Sequence, residues 1–109
     1  MTAREFIAEK LRELHAKFPQ IQIRYEYRMS TQSHLIEVMP LHFFENDEAY
    51  AHEEEKIRDE FESLFLPEDI LFISEGFLTE IEYADLELGY GERIPFDKGT
   101  PDIKFSLDD

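Results

Sequence analysis

The chain contains no cysteine and no tryptophan. Without cysteine there is no disulfide framework, no thiolate nucleophile and no sulfur ligand for a metal, so packing alone must hold the fold. Glycine is scarce: all four glycines fall at position 76 or later, where they read as turns. No glycine-rich phosphate-binding loop occurs. Basic residues are few, with 11 Lys and Arg against 26 Asp and Glu, for a net charge of -15. Acidity on this scale repels nucleic-acid phosphates and anionic membrane surfaces. No stretch approaches the roughly 20 apolar residues that cross a bilayer. The opening MTAREFIAEKLREL interleaves charged with apolar residues, unlike the continuous apolar core of a secretion signal. These absences lead to the expectation of a soluble, cytoplasmic protein with no membrane partner and no direct nucleic-acid partner.

What is present fits one domain. A chain of 109 residues has room for a single core, and ten Phe and five Tyr supply much of it. The charge is unevenly spread: residues 1–28 carry six basic and four acidic side chains, residues 29–109 five basic and 22 acidic.

Thr2 followed three residues later by Glu5 is a capping box and marks a helix start. Ala3, Ile7, Leu11, Leu14 and Phe18 then share one helical face, and Pro19 stops the helix. In IQIRYEYRM, Ile21, Ile23, Tyr25, Tyr27 and Met29 alternate with Gln22, Arg24, Glu26 and Arg28, the pattern of a half-buried strand. The polar link STQS leads into a second strand, HLIEVM, as a hairpin. Asn46 or Asp47 can cap a second helix with the apolar stripe Tyr50, Ile57, Phe61 and Leu64, Phe65 lying beside it. The apolar run DILFIS predicts a central strand covered on both faces. FLTEIEY predicts a fourth strand, which LELGY extends or frays. The order is α-β-β-α-β-β. It predicts an α+β two-layer sandwich: an antiparallel sheet of about four strands with two helices on one face. Residues 1–90 form the domain. Residues 91–109 read as an irregular tail packing on or near the sheet, with an apolar patch at Ile103 and Phe105.

The segment SHLIEVMPLHFFEND, residues 33–47, holds two histidines and three acids and is the nearest thing to a chemical motif. In a strand, His34 and Glu37 point to opposite faces, so they form no paired site. His42 and Glu45 follow Pro40 without ligand spacing, and no HExxH or other converging metal set occurs. A strand running into a helix cap is the better reading. The sequence supplies no catalytic set, no metal ligands and no cofactor motif.

Two surfaces stand out. On the second helix, Glu48, His52, Glu55, Asp59 and Glu62 fall opposite Ile57, and Glu55 faces Asp59 at i,i+4 without a compensating cation. On the outer sheet face, Arg24 and Arg28 lie beside Leu35, Glu37 and Met39, an apolar and charged strip that needs a cover. That cover is either the tail, through Phe96, Ile103 or Phe105, or another chain, which leaves room for a homodimer through this face. The expected function is a small acidic, non-enzymatic protein-interaction module, of the immunity or inhibitor type, that binds a basic protein partner. One alternative is a DNA mimic occupying a nucleic-acid-binding cleft, which needs a second acidic row such as Glu80, Glu82, Asp85 and Glu87. Another is a small ligand-binding domain or enzyme with a pocket between helix and sheet around Tyr25, Tyr27, His34 and Tyr50.

Overall fold

In the computed structural model, which describes residues 1–90, the chain enters its first helix through the expected capping box. The Thr2 amide donates to Glu5 Oε1 at 2.9 Å and the Glu5 amide to Thr2 Oγ1 at 3.1 Å. The elements are α1 (Ala3–Lys17), β1 (Gln22–Arg28), β2 (Ser33–Met39), α2 (Leu41–Asn46), α3 (Glu48–Phe65), β3 (Asp69–Ile73) and β4 (Leu86–Leu88). They make an α+β fold with one four-stranded sheet in the order β3-β2-β1-β4. The expected tail, with Phe96, Ile103 and Phe105, lies outside the described residues.

The core lies between the sheet and the long helices. Phe6, Ile7, Leu11 and Leu14 of α1 and Tyr50, Ile57 and Phe61 of α3 pack onto Ile23, Tyr25, Ile36, Val38 and Phe72. Alternation in β1 and β2 sends these strand residues to the helix side. Leu64, placed on the apolar stripe by its spacing, is exposed, while Phe65 closes an aromatic cluster with Phe6 and Phe61. A second cluster joins Phe18, Phe43, Phe44 and Tyr50, and it explains α2. The FF pair just after Pro40 folds into a short helix that lids this end of the core, an element absent from the expected α-β-β-α-β-β order.

Two strand assignments shift. β1 pairs antiparallel with both β2 and β4, but β2 and β3 run parallel, with Leu35 opposite Leu71. The 18 residues of α3 reach about 27 Å at ~1.5 Å per residue, a little more than the seven residues of β2 at ~3.3 Å each. The helix therefore carries the chain back to the end where β2 began, and the next strand must run parallel. This also puts β3 at the sheet edge instead of its centre. Its apolar run is still covered on two sides: Ile70 and Phe72 face the helix-side core, while Ile73 packs on the opposite face. FLTEIEY does not form a strand, and the fourth strand is the shorter LEL. Gly89, just after it, has a φ of +86°. A Cβ there would sit 2.5 Å from the Ile21 carbonyl oxygen and 2.9 Å from His15 Nε2, so only glycine fits.

Candidate functional site

The solvent face of α3 carries the acidic row. Asp47 caps the helix by accepting from the Tyr50 amide at 2.8 Å. Glu48, His52, Glu55, Asp59 and Glu62 are all exposed. The helix has two cations of its own, and both are turned elsewhere. Arg58 donates to Glu54, while Lys56 lies 3.6 Å from Glu53. Across the helix pair, Lys17 meets Glu53 at 2.8 Å and holds that carboxyl below the usual range, and Lys10 meets Glu60 at 3.4 Å. Glu53, Glu54 and Glu60 are thereby neutralised. Among the described residues, Glu48, Glu55, Asp59 and Glu62 make no ion pair.

The outer sheet face is largely covered over β1 and β2, and the cover comes from residues 74–85, which run between β3 and β4; Leu71 on the β3 edge stays exposed. Ile81 packs with Leu35 and Ile73 in a small apolar cluster. The Glu82 amide donates to Glu26 Oε1 at 2.9 Å, and Arg28 donates to the Glu80 carbonyl. Leu35 is 3% exposed and Glu37 6% exposed; Met39 is partly buried. Arg24 lies opposite Glu37 in the strand register and holds it through two bonds of 2.8 and 3.1 Å. Arg28 also lies 3.4 Å from Glu26. Neither arginine is a free basic spot, so this surface is a packed interior of the crossing segment. The alternation in TEIEY is the one sequence signal that points to Ile81, and it imitates a strand. The crossing also places Glu80 and Glu82 on the opposite side of the sheet from α3. Asp85 is engaged with the Arg4 side chain at 3.5 Å and the Tyr27 amide at 2.8 Å.

Beneath α1 and α3, His34 joins a hydrogen-bonded line that runs from β1 through β2 to the turn before β3. The Tyr25 hydroxyl lies 2.6 Å from His34 Nδ1, and His34 Nε2 lies 2.6 Å from Glu68 Oε1. His34 is fully buried, stacked on Tyr27 at 4.5 Å with Phe61 edge-on at 5.3 Å. The neutral tautomer with its proton on Nε2 satisfies every atom: Tyr25 donates to Nδ1, and Nε2–H donates to the carboxylate. Burial pushes the Tyr25 phenol well above its ordinary range, against the opposing pull of the Arg4 guanidinium. Tyr50 is raised still further by burial, with the neighbouring Glu54 carboxylate adding to the rise. It belongs to the other aromatic cluster, so Tyr25, Tyr27 and His34 come together and Tyr50 does not. A shallow groove between α1 and β4 reaches this line at Tyr25, with Arg4, Ala8, Arg12, Asp85 and Leu86 around it. Glu68 lies 34 positions from His34, so no local spacing in the sequence links the two.

His42 and Glu45 are exposed on α2 and do not meet His34. Among the described residues, no group of three or more His, Asp or Glu side chains converges to hold a metal ion, and no helix is long and apolar enough to cross a membrane. Comparison with protein-family models, with curated proteins and with solved structures returned no match.

Proposed function

We propose that the protein is a small interaction module that binds a basic protein partner through the solvent face of α3. The observation that carries this reading is the row Glu48, Glu55, Asp59 and Glu62, which makes no ion pair among the described residues while Lys56 and Arg58 serve Glu53 and Glu54 on the same helix. Like charges at i,i+4 cost a helix roughly 0.2–0.5 kcal/mol, so the row does not arise from helix stability. It does raise the local negative potential, which accelerates encounter with a cationic surface. An inhibitor or immunity role toward a basic protein is the form that best suits a chain this small and this acidic. DNA mimicry is a weaker reading, since a duplex presents two phosphate rows and α3 offers one. An enzymatic reading is weaker still, because His34, at the centre of the Tyr25–His34–Glu68 line, is fully buried beside Tyr27 and Phe61.

The test is capture from native-cell extract by the immobilised protein at low and high salt, compared with the Glu55→Lys, Asp59→Lys double variant. Under this reading the double variant loses capture of the native partner by tenfold or more at low salt and folds as before. Equal capture by both proteins at every salt concentration would remove α3 from the interface.

A further inference from the structure

The two edges of the sheet differ. β4 is three residues long, carries the exposed Glu87 and is followed by the obligatory Gly89, features that protect an edge from pairing. β3 at the other edge is five residues long, reads DILFI, and contains no proline, lysine or bulge. Its register shows which groups are unused. The Asp69 amide donates to the Gln32 carbonyl at 3.0 Å, so Asp69, Leu71 and Ile73 turn their backbone groups toward β2. In a parallel pair the alternate residues face away. Ile70 and Phe72 therefore present two N–H and two C=O groups outward, and among the described residues no backbone group meets them. The chain leaves this strand by turning inward: Glu75 accepts from the Leu41 amide at 2.9 Å, and Phe77 packs on Phe44. Nothing in that turn shields the edge.

We infer that β3 pairs with the β3 of a second copy about a twofold axis through Leu71, joining two sheets into one. An antiparallel dyad puts Ile70 opposite the second copy's Phe72, and the reverse, so four outward groups on each copy close four hydrogen bonds. Leu71, 45% exposed on the outer face, then meets its own image. Asp69 falls opposite Ile73, so the two aspartates are kept apart. Each pairing across the axis is apolar or neutral in at least one member, which is why the occupant fits as a second copy. The inference goes beyond the acidic-helix reading and is independent of it. Each copy carries -15, so salt should strengthen this contact, whereas it weakens capture of a basic partner.

The experiment is analytical ultracentrifugation of the full chain from about 0.01 to 1 mM, a range suited to a contact smaller than a standard interface. Runs at low and high salt are paired with hydrogen exchange of the Ile70 and Phe72 amides. The expected result is a monomer–dimer equilibrium that tightens with salt, with both amides protected in proportion to dimer. Leu71→Lys should weaken dimerisation at least tenfold, while Leu64→Lys, at an exposed apolar site on α3, leaves it unchanged. If Leu71→Lys fails to fold, the amides of the unmodified chain still decide the matter. A monomer throughout, or amides whose protection ignores concentration because another part of the same chain pairs there, would overturn the inference. Loss of dimer with capture of a basic partner intact would sink this contact and leave the α3 reading standing.

Discussion

At the scale of the residue, His34 shows how an apolar environment makes a polar side chain demanding. Fully buried, it must find a partner for each ring nitrogen, and it finds them on two other segments of the chain. Tyr25→Phe deletes the donor to Nδ1 and keeps the ring. A buried acceptor left unmet costs about 1–3 kcal/mol, and urea unfolding of the variant should read a loss in that range. Tyr25 also sets the alkaline limit, together with Tyr50. Both phenols are raised in the folded state above the ordinary value of 10.0, chiefly by burial. Their contribution is therefore complete below about pH 10 and is lost as pH rises beyond it, because the unfolded chain releases those protons first. Phenolate absorbance and circular dichroism followed together above pH 10 should show these two tyrosines ionising only as the fold is lost. Phenolate formation at Tyr25 or Tyr50 with the dichroism intact would contradict the buried placement.

At the scale of the element, what was legible depended on whether the signal was local. The capping box of Thr2 and Glu5, the alternation of IQIRYEYRM and the Asp47 cap each involve residues within a few positions of each other, and the structure has the two caps and the strand, although Met29 lies past its end and is exposed and Glu26 is buried beneath the crossing segment. Arg24 opposite Glu37 also follows from a hairpin register. The direction of β3 is set by the length of α3 compared with β2, a tertiary constraint, and strand periodicity carries no information about it. The segment at residues 74–85 departs from its strand-like pattern for a related reason. Ile81 alternates with its acidic neighbours as a strand residue would, yet the sheet it covers offers side chains, not a free backbone edge. Its burial beside Leu35 and Ile73 makes it the apolar anchor of the crossing. Ile81→Ala should cost about 2 kcal/mol, the low end for core truncations because this cluster lies near the surface. The Glu82 amide should then exchange faster as its bond to Glu26 opens. Unchanged stability together with unchanged exchange would mean that the hydrogen bonds of Glu82 and Arg28 hold the crossing without it.

At the scale of the whole molecule, the charge of -15 acts on folding as well as on encounter. The ion pairs Lys10–Glu60, Lys17–Glu53 and Arg24–Glu37 offset part of the repulsion, but 26 acids outnumber 11 bases. Self-repulsion should therefore dominate the salt response. Raising salt from about 0.01 to 0.1 M shortens the screening length from roughly 30 to 10 Å, so the melting temperature should rise over that interval. A fall would mean that the surface pairs contribute more than the excess charge removes. The line from Tyr25 through His34 to Glu68 has a further consequence at this scale. Glu68 immediately precedes β3, and a slip of β3 by one residue would turn its side chains to the opposite face. His34 would then keep an unmet nitrogen in a dry core, while most apolar residues of DILFI would still find cover. Hydrophobic burial distinguishes poorly among the ways of adding this strand. The carboxylate acts as a proofreader of topology, penalising wrong dockings that greasy side chains alone would accept.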